Sequence, residues 1–186
     1  MPKLPTLSED AKLPDLFAAF PQHAGHLISL VDAVMRDSGE WDIAEREFIA
    51  AYVSGLNACT FCLGSHVVFA EAFGLPETLL EAALDDPLTA DLAPKLAAVL
   101  IYIRKMNTLP HKAVQADLDQ VLAAGVCEAA VYEALMIAGL FNMMNRIVEG
   151  SGVTFDFRTD PSQHSTAGLT DNPRVHRYAA TRQDSR

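Results

Sequence analysis

The sequence predicts an all-α protein, a compact bundle of about six or seven helices, on three observations. Apolar residues recur at helical spacing along most of the chain. Alternating apolar and polar runs bounded by turn residues, the mark of half-buried strands, are scarce. Glycine and proline fall between the periodic stretches, as at Gly74, Pro87, Gly125 and Gly150, where they close one helix and open the next. At 186 residues the chain has room for one domain with a substantial core.

The elements follow in order. Phe17, Phe20 and Ala24 begin an apolar face that continues through Leu27, Leu30, Val31 and Val34. Asp42 is placed to cap the next helix, with Glu45 three residues on as its capping-box partner. The segment 43–56 then puts Phe48, Ala51, Tyr52 and Gly55 on one face, and Gly55 and Asn57 weaken the helix near its end. A further helix opens near Cys59 and runs to Gly74, a natural C′ residue. Residues 76–84 read as a short helix closed by Asp85, Asp86 and Pro87. Residues 89–106 are strongly apolar, with Pro94 tolerable only in a first turn. Residues 112–124 are amphipathic and end at Gly125, and 127–149 is the longest periodic stretch. Residues 1–155 therefore read as one helical domain, and 156–186 as a polar C-terminal tail or an arm that packs on a neighbouring subunit.

The formal charge of −10 argues against nucleic acid and anionic lipid as partners, since both need clustered Lys and Arg. The opening MPKLPTLSEDAKLP has three prolines and no apolar core, unlike a secretory signal. The longest apolar run, residues 97–103, is too short to cross a bilayer. No membrane association and a cytoplasmic location are the expectations. Three cysteines is an odd number, which fits a disulfide-stapled scaffold poorly.

Two of those cysteines stand in NACTFCLGSH, residues 57–66. Cys59 and Cys62 are three apart, and His66 lies four beyond Cys62, so all three can share one helical face. A helix N-terminus and a nearby imidazolium both favour thiolate over thiol. A thiolate attacks peroxide or disulfide, and a second thiol resolves the product. The same residues allow a metal clamp or inert packing. The metal reading lacks a fourth ligand, and haem attachment would need histidine where Leu63 stands. A thioredoxin-like motif would need a βαβ setting that this chain does not show. Glu47, twelve residues before Cys59, can face His66 if the two helices form a hairpin, although a glutamate there is more often a solvated face residue.

The stretch AEREFIAAYVSGLNACTFCLGSH resembles the signature of the alkyl hydroperoxidase D-like (AhpD-like) group of the carboxymuconolactone decarboxylase superfamily. That signature is Glu, eleven residues, Cys, two residues, Cys, three residues, His, and it matches Glu47, Cys59, Cys62 and His66. FNMMNRIVEGSG, residues 141–152, resembles the segment after the last long helix in the peroxidase-related branch. The resemblance covers roughly residues 10–155. It implies an all-α fold assembled as a homo-oligomer, a trimer or hexamer, with no cofactor and no resident metal. It implies a thiol-dependent antioxidant oxidoreductase acting on a hydroperoxide, re-reduced by a dithiol or protein reductant that the sequence does not name. Carried over, Cys62 is the peroxide-attacking thiol, Cys59 the resolving one, His66 a proton relay and Glu47 the base or orienting carboxylate. One position departs: where peroxidase members carry histidine before the second cysteine, this chain has Phe61. That departure points also to general thiol–disulfide exchange or a redox adaptor for a partner protein. A zinc-binding or structural module is the third reading.

Cys127, on an apolar helix face without a sequence partner, is expected to be buried packing. Asn142, Asn145 and Arg146 are candidates to line the site or a subunit contact. His23, His26, His111, His164 and His176 are scattered without ligand spacing, and Phe48, Tyr52, Phe69, Phe73 and Phe141 read as core or pocket lining.

Overall fold

The centre of the molecule is the segment Ile43–Leu56, in which every residue from Arg46 to Ser54 is buried. A helix apolar around its whole circumference has to be enclosed by other elements. The sequence suggested one apolar face; the structure encloses all of them. In the computed structural model, which describes residues 2–153 and Tyr178, eight α-helices and one 3-10 turn form an all-α bundle around it. They are α1 (Leu13–Ala19), α2 (Ala24–Arg36), α3 (Ile43–Leu56), α4 (Thr60–Ala72), α5 (Glu77–Asp85), α6 (Pro94–Thr108), α7 (Gln115–Ala123) and α8 (Glu128–Ser151), with the 3-10 turn at Pro110–Lys112. α3 packs against α2, α4, α5, α6 and α8. No strand occurs among the described residues, and no single helix there is long and apolar enough to cross a membrane.

The helix count exceeds the expected six or seven because the face predicted from Phe17 to Val34 is broken. Pro21 cannot continue a helix, and His23 takes a left-handed conformation with φ 69°, so α1 and α2 are separate. Phe20 and Leu30 are accordingly exposed. The α3 start is as expected: Asp42 Oδ1 accepts the Glu45 amide at 2.8 Å, and Glu45 Oε2 accepts the Asp42 amide at 3.0 Å. Pro94 is the first residue of α6, where its missing N–H costs nothing, so residues 89–93 lie outside that helix.

Three buried or half-buried arginines tie the bundle together. Arg46 donates to the carbonyls of Trp41 (2.9 Å) and Asp37 (2.5 Å) and pairs with Glu133 of α8. Arg104 of α6 reaches the carbonyls of Ala83, Leu84 and Asp85, placing a cation at the negative end of α5. The third, Arg36, belongs to the site described next. The proposed tail, 156–186, lies outside the described residues except for Tyr178.

Candidate active site

The site is built where α3 ends. Ala58 takes φ 54°, and the amides of Ala58 and Cys59 bond back to the carbonyls of Gly55 (3.0 Å) and Ser54 (3.0 Å). This is a Schellman closure with alanine in the position that usually holds glycine. Cys59, the residue just past that closure, is also the N-cap of α4. One backbone turn thus ends the first helix, starts the second and fixes Cys59 between them.

The hairpin carries the four residues that the sequence singled out, as two contacting pairs one turn apart. Cys59 and Cys62 are free thiols, 0 % and 4 % exposed, with their sulfurs 2.9 Å apart. That separation is well beyond a disulfide bond and within reach of a hydrogen bond. His66, one turn further along α4, places Nδ1 2.6 Å from Oε2 of Glu47. Glu47 is fully buried, so the expectation of a solvated face residue is corrected: α3 has no solvated face at that point. Against the other side of His66, the Phe141 ring packs edge-on with centroids 4.2 Å apart.

A buried carboxylate needs compensation. Arg36 at the end of α2 provides it, with Nη2 2.5 Å from Glu47 Oε1 and both side chains fully buried. The Tyr178 hydroxyl donates to the same oxygen at 3.0 Å. Burial alone would push the Glu47 carboxyl up. The charges of Arg36 and His66 and their hydrogen bonds outweigh it, and the carboxyl is held below its ordinary value. Glu47 therefore stays ionised. An ionised carboxylate only accepts, so the imidazole nitrogen facing it must carry a proton. Nε2 is left to exchange protons elsewhere.

The two thiols are not equivalent. The side-chain contact with Cys62 and the Cys62 backbone amide draw the Cys59 thiol down, against burial and the carboxylate of Glu149. The same contact, with burial, pushes Cys62 up. Cys59 also stands at the positive end of α4. Of the two thiols, Cys59 is the more readily deprotonated.

Two further features surround the sulfurs. A chain of amides runs beside them: Asn107 donates to Asn57 (3.0 Å), Asn57 to Asn145 (2.8 Å), and Asn145 to Ser54 (3.1 Å), with Asn142 joined to both Asn57 and Asn107. Asn145 also reaches Cys62. Asn142 and Asn145, candidates from the sequence, are thus part of the site; Arg146 bonds Asn142 at its exposed edge. The N-terminal segment lies over the dithiol. Leu4, Leu7 and Leu13 pack with Leu16, Phe61, Val148 and Val153 around Cys59 and Cys62. Lys3 holds that segment to the end of α8, through its amide to Ser151 O (2.7 Å) and its Nζ to Glu149 O (2.6 Å).

Other expectations fare differently. Cys127 is exposed, not buried, because it is the N-cap of α8 and lies outside that helix's apolar face. His23, His26 and His111 stay apart from the site, and His164 and His176 fall outside the described residues. Among the described residues no group of three or more His, Cys, Asp or Glu is arranged to hold a metal ion.

Fold and site together define an all-helical protein with a buried dithiol backed by a carboxylate–imidazole pair. The chain has the AhpD-like fold, and the model of the carboxymuconolactone decarboxylase family matches residues 14–105, from α1 into α6. Among solved structures it is similar to the alkylhydroperoxidase AhpD core of a peroxidase-related protein from Ralstonia eutropha JMP134. The two are 22 % identical with a TM-score of 0.71, over 77 % of this chain and 75 % of the other. A peroxidase-related protein from Silicibacter sp. TM1040 is 19 % identical with a TM-score of 0.65, over 82 % and 89 %. The debrominase Bmp8, solved with 2,3,4-tribromopyrrole, is 19 % identical with a TM-score of 0.58, over 85 % and 75 %. No curated protein sequence matches the chain.

Proposed function

We propose that this protein is a thiol-dependent antioxidant oxidoreductase that reduces hydroperoxides through Cys59 and Cys62. The observation that carries the reading is the pair of free sulfurs 2.9 Å apart at the start of α4, with the Glu47–His66 pair one turn behind them. A cysteine thiolate attacks one peroxide oxygen: an S–O bond forms, the O–O bond breaks, and the alkoxide leaves as alcohol after taking a proton. The other thiol then attacks the sulfenic acid, forming the S–S bond and releasing water. Two electrons pass from the dithiol to the peroxide, and an external dithiol or protein reductant restores the thiols by exchange. His66, through Nε2, relays the protons these steps require, and Glu47 holds the imidazole for that role.

The family pattern gives the attack to Cys62 and resolution to Cys59. The pair favours deprotonation of Cys59 over Cys62, so attack by Cys62 first needs a base to take its proton. The test is peroxide treatment with dimedone trapping and mass spectrometry. Wild type is expected to give a Cys59–Cys62 disulfide, and Cys59→Ser a trapped sulfenic acid on Cys62. If Cys62→Ser consumes peroxide as fast as wild type, with the trap on Cys59, the roles are reversed. If neither sulfur reacts, the reading fails.

Phe61 supports a second reading, thiol–disulfide exchange with a protein partner, because it puts an apolar ring where peroxidase members have an imidazole. That reading expects slow peroxide turnover beside rapid exchange with a small dithiol, measured on the same preparation. The exposed Tyr132 and Met143 of α8 fit a homo-oligomer, checked by light scattering.

A further inference from the structure

Tyr178 stands 131 residues from Glu47 in sequence, yet its hydroxyl donates to Glu47 Oε1 at 3.0 Å. Its ring lies over the Arg36 guanidinium, 4.8 Å from the ring centre, and its backbone amide donates to Asp32 Oδ1. Asp32 and Arg36 are one turn apart on α2, so a single helix face holds Tyr178 by both its backbone and its ring. A ring alone would satisfy the stacking on Arg36. A hydroxyl placed among buried groups needs a partner, and the partner here is the carboxylate behind His66.

The geometry around that carboxylate is asymmetric. Among the described residues, Oε1 takes Tyr178 and Arg36, and Oε2 takes His66 Nδ1. Arg36 also donates from Nη1 to the Met35 carbonyl at 2.9 Å, so its guanidinium is not free to follow Glu47. The hydroxyl of Tyr178 adds a second contact on Oε1, beside that of Arg36. We propose that Tyr178 is a positioning residue of the dithiol centre: it orients Glu47 so that Oε2 fixes the Nδ1–H form of His66 and leaves Nε2 to take the thiol proton. This rests on the oxidoreductase reading given above. The charged and titratable groups around the pair are Arg36 and Asp32 from α2 and Tyr178 itself; Cys59 and Cys62 stand one to two turns before His66, and α8 contributes the apolar edge of Phe141 and, beside the cysteines, the carboxylate of Glu149.

The test compares wild type with Tyr178→Phe, which keeps the ring on Arg36 and removes only the hydroxyl. Nitrogen-15 NMR of the reduced proteins should show His66 protonated on Nδ1 in wild type and a mixture of the two neutral forms in the variant. The plateau rate of peroxide-driven disulfide formation should fall about tenfold with KM unchanged, close to the lower end of what a hydrogen bond to a charged group contributes. The midpoint of the pH–rate profile should rise, because Glu47 loses a donor and carries more charge toward His66. A merely structural role would lower the melting temperature and leave tautomer, plateau and midpoint where they were; that result overturns the proposal. If wild type neither reduces peroxide nor exchanges disulfides, the functional reading falls, while the NMR comparison still decides the role of Tyr178. Should Tyr178→Phe fail to fold, wild type alone decides. A slowly exchanging tyrosine hydroxyl proton near Arg36 is expected, and its absence overturns the proposal.

Discussion

Replacing Arg36 by methionine tests the electrostatic core of the site most directly. Arg36 and Glu47 are both fully buried, 2.5 Å apart, and the carboxyl is held below its ordinary value of 4.5. Without the guanidinium, a buried carboxylate would face only an imidazole and a phenol. Leaving such a charge unpaired costs about 3–5 kcal/mol. The alternative is to bind a proton. At pH 7, about 2.5 units above the ordinary value, that costs roughly 3.4 kcal/mol at about 1.36 kcal/mol per unit. The cheaper route sets the loss, so Arg36→Met should destabilise the protein by about 3 kcal/mol at pH 7. The sign of the pH dependence follows from linkage. A carboxyl with a depressed folded pKa contributes stability that is present above its unfolded value and lost as pH falls through the folded one. In the variant the folded value is raised instead, so the penalty should shrink by about 1.4 kcal/mol per unit as pH falls, down to the depressed folded value of the wild type. Urea denaturation at pH 7 and pH 5, at one protein concentration, measures both values. The double variant Arg36→Met with Glu47→Gln should recover most of the loss at pH 7, because the uncompensated charge is gone. A penalty under about 1 kcal/mol at pH 7, or one that does not change with pH, would refute the ion-pair argument.

Two further outcomes follow from the ends of the site. Ala58→Gly should stabilise the protein by about 1 kcal/mol in the same denaturation assay, because glycine takes φ 54° without the clash that a Cβ brings; an unchanged or lower midpoint would mean the turn carries no strain. Leu4→Ala with Leu7→Ala should raise the rate of iodoacetamide reaction with the dithiol several-fold, since both leucines pack over Cys59 and Cys62; equal rates would show that the thiols are reached from another side.

The parts of this structure that were legible in the sequence are those whose cause is local. The Asp42–Glu45 box, Gly74 past α4 and Pro94 at the head of α6 depend on neighbours a few residues away. Cys59, Cys62 and His66 were legible for the same reason, since one helix spaces them, and Glu47 needed only the added step of a hairpin. The break between α1 and α2 was missed because apolar spacing happens to continue across Pro21 and His23. The helix pattern predicts a buried Cys127, but as N-cap it sits one residue before that pattern applies. Arg36 and Tyr178 carried no spacing signal at all. A cation at the end of an apolar helix face, beside Met35, is the one hint that Arg36 turns inward; Tyr178 is joined to the site only by tertiary packing.

In the proposed reaction the site would divide its work between two ends of one hairpin. At the α3–α4 turn, backbone geometry alone fixes the sulfurs: the closure at Ala58 and the N-cap at Cys59 leave the dithiol little freedom. One turn along α4, the acid–base group is fixed by charge, with Arg36 on α2 making it possible to bury Glu47 at all. Neither end suffices by itself. A thiolate at a helix start without a relay would have to exchange protons with water, yet Cys59 and Cys62 are nearly closed off from it. A carboxylate–imidazole pair without the sulfurs would have nothing to deprotonate. Because Glu47 spans the two ends, being set on α3 and bonded to α4, its protonation state couples fold stability to thiol reactivity. The conditions that protonate it should therefore weaken the fold and slow the chemistry together, and Glu47→Gln should remove the share of each pH dependence that Glu47 contributes.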